Sequence, residues 1–104
     1  MMEVTQETRE DWRVVTLRGR ADSETADRLE EELRSAVQQH PKVAVDLRAV
    51  DYISSAGLRA VLQAARAAQG HSDLAFCSLS AAVKKVFDMS GMQHILKIRE
   101  ELPC

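Results

Sequence analysis

Seven residues, Tyr52-Ile53-Ser54-Ser55-Ala56-Gly57-Leu58, are where this sequence could do chemistry. They follow an apolar, strand-like run and open an alanine-rich helix, so two hydroxyls stand where a helix begins. A serine there can accept a backbone N–H that the first helical turn leaves unpaired, a bond worth on the order of 1 kcal/mol. The same position suits a covalent charge switch. A phosphate on it would add roughly −1.5 to −2 charges and three acceptor oxygens, facing the positive end of the helix dipole. The residues alone allow Ser55 either role, helix cap or phosphate acceptor. Gly57 shifts the balance, because glycine inside a helical turn costs up to about 1 kcal/mol against alanine. Together Ala56 and Gly57 leave a nearly bare ridge beside Ser55, over which another protein's backbone could approach. Tight packing of Gly57 against a neighbouring loop is the other reason to find it there. Arg59, four residues on, could steady a phosphate, meet an acidic partner or simply be solvated.

Other chemistry is scarce. Asp22 and Asp51 are acidic groups near this segment, with plain roles as a cap and a turn residue. There is no G-x-S-x-G, and His40, His71 and His94 have neither triad nor metal spacing. The four glycines form no phosphate-cradling fingerprint. The expectation is therefore a non-enzyme with no metal and no cofactor. Asp88-Met89-Ser90-Gly91-Met92 is the other unusual stretch, where two methionines flank a Ser-Gly turn. They could form an adaptable contact surface or fill core at a helix end.

The elements that must position these residues alternate. Val4–Thr8 and Trp12–Arg18 read as strands joined by the polar turn Arg9-Glu10-Asp11, with Gly19 ending the second. Asp22 or Ser23 can cap a helix whose Ala26, Leu29, Leu33, Ala36 and Val37 recur at helical spacing, and which stops before Pro41. Val43, Val45 and Leu47 form a third strand. The Ser55 helix follows, with Leu58, Val61, Leu62 and Ala65 as its buried stripe and Gly70 as its stop. Leu74–Leu79 is apolar on both faces, as an interior strand is. Ser80 caps a short helix carrying Val83, Val86 and Phe87 inward, and Leu96 with Ile98 closes the sheet. This pattern predicts one α/β domain over 1–104: a mixed, mostly parallel β-sheet with packed α-helices. Function in such sheets gathers on loops at the carboxyl ends of strands, here Gly19–Ser23, Val50–Gly57 and Asp88–Met92.

At 104 residues the chain is long enough for one core and too short for two. A composition of 45% hydrophobic and 29% charged residues argues against disorder, and aromatics at 4% leave the core to aliphatics. A net charge of −2 removes the electrostatic case for nucleic acid. Neither a leader nor a bilayer-spanning run is visible, so a cytoplasmic protein without membrane attachment is expected. Cys77 in an apolar strand and Cys104 at the end fit a buried and a tail thiol rather than a disulfide.

Three motifs in order then resemble one family. Gly19-Arg20-Ala21-Asp22, Val45-Asp46-Leu47 leading into Tyr52–Leu58, and Val86-Phe87-Asp88-Met89-Ser90-Gly91-Met92 resemble the STAS domain, specifically the stand-alone anti-sigma factor antagonists. The likeness runs from about Val4 to Arg99, so the STAS core is expected over 4–99. The resemblance implies a partner-switching role. An ATPase-fold serine kinase that doubles as an anti-sigma factor is bound and sequestered by the unmodified protein. Phosphorylation at the start of this helix releases it, and a PP2C-type phosphatase reverses the change. Carried over, the acceptor is Ser55, and the contact surface comprises Asp22, Ser54, Ser55, Ala56, Gly57 and Arg59, with Met89, Ser90 and Gly91 nearby. Many members carry aspartate immediately before the acceptor, where this chain has Ser54. That leaves a second hydroxyl within reach and removes a negative charge. Two rival roles are a constitutive STAS scaffold in a transport or lipid-trafficking complex, and a small enzyme or nucleotide-binding domain.

Overall fold

The computed structural model describes residues 1–104. Strands β1 (Met2–Arg9) and β2 (Trp12–Ala21) pair as an antiparallel hairpin. Helix α1 (Ala26–Gln39) leads to β3 (Lys42–Ile53), and α2 (Ser55–Ala68) leads to β4 (Asp73–Cys77). Helix α3 (Ala81–Ser90) and a 3-10 turn at Met92–His94 precede β5 (Lys97–Arg99). From β2 onward the strands run parallel, and their order in space follows their order in the chain. Crossovers of one hand that always extend a sheet in the same direction lie on one face of it. The outcome is the expected α/β sheet, mixed and mostly parallel, with helices on one side.

The main core lies between that face and the helices. Val15, Leu17, Val43, Val45, Leu47 and Phe76 of the sheet meet Leu29, Leu33, Val37, Val61, Val83 and Phe87 of the helices, all essentially closed to water. Each contributes about 1.5–3 kcal/mol by leaving solvent. The opposite face carries a smaller cluster of Trp12, Val14, Ala44, Ala75 and Cys77, on which Leu102 and Cys104 pack.

Two strands extend further than their alternation suggests. Gly19 does not end β2, which runs to Ala21. Gly19 sits at φ 107°, with the Met1 carbonyl lying where a Cβ would be. Beyond Leu47, β3 continues to Ile53 and carries Asp51 in an exposed strand position rather than a turn. The inward residues Leu47, Val50 and Ile53 are three apart instead of two. Register shifts against β2, between Thr16 and Arg18 and between Gly19 and Arg20, absorb the extra residues. A bulge inserts a residue while keeping the same face inward, so period-two counting stops too early. At the other end, β4 stops at Cys77, and Ser78 turns out of it at φ 55°.

Helix α2 is also rotated from its expected stripe. Gly57, Ala60, Val61, Ala64 and Ala68 are buried, while Leu58, Leu62 and Ala65 are half-buried. The helix packs beside α1 as well as on the sheet, and its smallest residues face inward where neighbours come closest. In α3, Val83 and Phe87 are buried and Val86 is half-buried; Ser80 caps it as expected, accepting the Val83 N–H at 3.2 Å.

Cys77 and Cys104 are both free thiols. Burial pushes Cys77 up to about 11 from 9.0, against the pull of Arg99. A raised folded value means its contribution to stability is complete below pH 9.0 and is lost as pH rises through about 11. The stability gap between wild type and Cys77→Ala, measured by urea denaturation, should therefore narrow over that interval. A gap independent of pH would contradict the burial of this thiol. Alkylation of the native protein at neutral pH should label Cys104 and spare Cys77 until denaturant is added.

Candidate functional site

The site forms where β2 and β3 end and α2 begins. At these ends Arg20 pairs with Tyr52, and Ala21 with Ile53. The Ser54 N–H then donates to the Ala21 carbonyl at 2.9 Å, tying the first residue after β3 to the last of β2. Ser54 is extended (φ −93°, ψ 176°), and its Oγ accepts the Gly57 N–H at 3.2 Å. Ser54 is therefore the helix cap. Ser55, for which the residues alone allowed a cap or an acceptor role, is one residue further on, inside the helix and exposed. The shift follows from the length of β3: pairing lasts through Ile53, so Ser54 is where the backbone turns.

Gly57 also differs from the expected bare outer ridge. It is buried, and a Cβ on it would lie 2.6 Å from the Ala21 carbonyl oxygen and 2.9 Å from Ile53 Cγ1. Its missing side chain admits the end of β2, not a partner. Ala56 is half-buried beside it, and Arg59 is exposed one turn along α2.

Asp22 lies just past β2. Its Oδ1 accepts N–H bonds from Glu24 at 3.0 Å and Thr25 at 3.2 Å, capping the turn that enters α1. The Thr25 hydroxyl closes that turn by donating to the Arg20 carbonyl at 2.8 Å. Burial raises the Asp22 carboxyl, yet hydrogen bonds from Glu24 and Thr25, aided by the chain's amino terminus, hold it below the usual carboxylate range. Asp22, Ser54, Ser55, Ala56 and Gly57 are thus brought together around one strand end. Met89, Ser90 and Gly91 belong to the far end of α3, and no hydrogen bond joins them to this turn. Met89 is 78% exposed rather than core, and the Ser90 hydroxyl donates to the Val86 carbonyl at 2.8 Å.

Arg20 and Tyr52 lie in the segments that the sequence singles out but not among the contact residues named from it. The Arg20 guanidinium carbon lies 4.2 Å from the Tyr52 ring centroid, and its Nε is 3.6 Å from Asp22 Oδ2. Reading Gly19 as a strand end put Arg20 in a loop. Only the spacing of Leu47, Val50 and Ile53 hinted at the bulges that set it opposite Tyr52.

Chemically, this is a presented hydroxyl on a helix end. No acidic residue stands in the first turn of α2, so none in that turn offsets its positive pole. No group of three or more His, Cys, Asp or Glu is arranged to hold a metal, and no helix is long and apolar enough to cross a membrane. The largest surface hollow lies over α1, between Asp27, Glu30, Glu31, Arg34, Ser35 and Gln38, with no apolar wall.

Residues 4–99 match the family described as "Mlab, STAS domain". The Bordetella bronchiseptica protein BtrV, named as a candidate anti-sigma factor antagonist, is 36% identical over 99 residues, covering 93% of this chain and 85% of that one. An anti-sigma factor antagonist from Mycobacterium paratuberculosis superposes with a TM-score of 0.89 at 20% identity, over 98% of this chain and 88% of that one. The Bacillus cell fate determinant SpoIIAA, in its phosphorylated form, gives 0.69 at 18% identity, over 95% and 93%. The two structures share the fold.

The geometry separates the two serines in a measurable way. Ser54→Ala should cost about 1 kcal/mol by losing the cap, whereas exposed Ser55→Ala should stay within about 0.5 kcal/mol of wild type. Gly57→Ala should cost about 1–3 kcal/mol by forcing a methyl onto the Ala21 carbonyl. Urea midpoints compare all three, and a larger loss at Ser55 than at Ser54 would refute the assignment of the cap.

Proposed function

Because this chain belongs to the STAS-domain family, as a relative of the anti-sigma factor antagonists, we propose that it is a phosphorylation-controlled antagonist in a partner-switching pathway. The unmodified protein binds and sequesters a serine kinase of the ATPase fold that doubles as an anti-sigma factor, so that the kinase's other client is freed. Transfer of a phosphoryl group from ATP to Ser55 ends that binding, and a PP2C-type phosphatase restores it. The protein itself catalyses nothing, acts in the cytoplasm and regulates transcription through the partner it holds.

The observation that carries this reading is the division of labour between adjacent hydroxyls. Ser54 spends its oxygen on the Gly57 N–H, while Ser55 stands exposed in the first turn and is free of that duty. A phosphate at Ser55 would meet the positive helix end with no acid beside it in that turn, an interaction worth about 0.3–1 kcal/mol at an exposed site. The fold therefore survives the added charge. A partner surface shaped for a neutral hydroxyl does not, since an unmatched dianion at a closed interface costs several kcal/mol. Ser54, in the place where many relatives carry aspartate, keeps the cap without adding a like charge next to the phosphate.

The test uses an ATPase-fold serine kinase from the same genome. Incubation with ATP should add one phosphoryl group, mapped to Ser55 and lost in Ser55→Ala but not in Ser54→Ala. Calorimetry should find that Ser55→Ala binds like wild type and Ser55→Asp binds roughly tenfold or more weakly, at an unchanged melting temperature. Equal affinity for the aspartate variant would sink the switch. One observation favours a second reading: the matching family is described by the name Mlab and not as an antagonist. On that reading the protein is a constitutive scaffold subunit, and its mass in cells would be the same before and after phosphatase treatment.

A further inference from the structure

We infer that Arg20 and Tyr52 form a second anchor for the same partner, extending the docking surface from the Ser55 turn onto the open face of the sheet. The inference rests on the kinase docking proposed above and adds what that kinase must present: a carboxylate side chain next to an apolar group.

The parallel register places Arg20 beside Tyr52 at the strand ends. Ala21 and Ile53, the next pair, are buried under α2, so Arg20 and Tyr52 face the other way, outward from the helices. Tyr52 is 41% exposed, one of few large apolar side chains left in water. Arg20 lies over its ring at 4.2 Å, and the arginine side chain is itself 53% exposed. Only its Nε approaches a carboxylate, Asp22 at 3.6 Å, and no hydrogen bond within the protein takes its two terminal nitrogens. Asp22 in turn is 21% exposed and accepts from two backbone N–H groups, so it stands as a brace for Arg20.

Arginine and tyrosine are the residue types most often found as energetic anchors of interfaces. Here the stacking on Tyr52 and the brace from Asp22 hold the guanidinium in place before any partner arrives, which lowers the entropy lost on binding. The free edge of a guanidinium matches a carboxylate with two parallel hydrogen bonds. The ring beside it offers apolar area. Tyr52 also precedes Ser55 by only three residues, and the Ser54 N–H bond to the Ala21 carbonyl fixes the turn between them, so one partner surface can span both.

The test uses a purified ATPase-fold serine kinase from the same genome, titrated with unphosphorylated variants by calorimetry. Arg20→Gln and Tyr52→Ala should each bind about tenfold more weakly. Tyr52→Phe should bind like wild type and Arg20→Lys should fall between. Combining Arg20→Gln with Tyr52→Ala should weaken binding by less than the product of the two effects, because the residues act as a unit. In phosphorylation assays the same variants should raise KM and leave kcat unchanged. If wild type binds while Arg20→Gln and Tyr52→Ala stay within about twofold of it, the second anchor is wrong and the Ser55 reading stands. If wild type neither binds nor is phosphorylated, the reading itself fails and takes the anchor with it. A loss of affinity that tracks a fall in melting temperature also overturns the anchor, since it would mark a structural role.

Discussion

The close approach of Gly57 to the carbonyl of Ala21 is the constraint on which the rest of the site depends. A strand end and a helix start can meet at this distance only where no Cβ intervenes. The same carbonyl accepts the Ser54 N–H, so a single oxygen receives a hydrogen bond and lies against the bare side of the helix. With that contact in place, α2 begins at one defined residue. Ser54 must face inward to cap, and Ser55 must face out. A slip of one residue in where α2 begins would give the cap to Ser55.

That arrangement separates the side chains that hold the turn from those it leaves exposed. The side chains that hold the turn together are those of Ser54, Asp22 and Thr25, each engaged with backbone groups. The side chains of Ser55, Arg59, Arg20 and Tyr52 stand exposed and carry little of the fold, which on the proposed reading leaves them to a partner. A charge can therefore come and go on the outer set without disturbing the inner one. The first turn of α2 carries no acid, which favours a negative group at the helix end.

The layering of the sheet serves the same end. Helices cover one face, and the chain's last residues cover only the Trp12 cluster on the other. The strand ends near Arg20 and Tyr52 remain open, and both are set there by bulges that lengthen β3 relative to β2. The irregularities that obscure the strand boundaries are thus the features that bring those side chains up to the helix start.

Much of this was legible in the residues. The alternating strands and helices, the single mixed sheet, the stop before Pro41 and the cap at Ser80 follow from local preferences, which depend only on near neighbours in the chain. So did the junction of β3 with α2, because paired serines after an apolar run and before an alanine-rich helix mark a helix start. What sequence could not supply were quantities set by distant neighbours. Which serine caps α2 depends on how far β3 pairs with β2, and that depends on bulges whose extra residues break the period-two pattern. Whether Gly57 exposes a ridge or buries one depends on the carbonyl of a residue on another strand. Arg20 and Tyr52 meet only because two strands run parallel in a particular register. Side-chain type and spacing thus determined the fold class and the strand-to-helix junction at Ser54 and Ser55, while long-range pairing decided which hydroxyl caps the helix and what surrounds it.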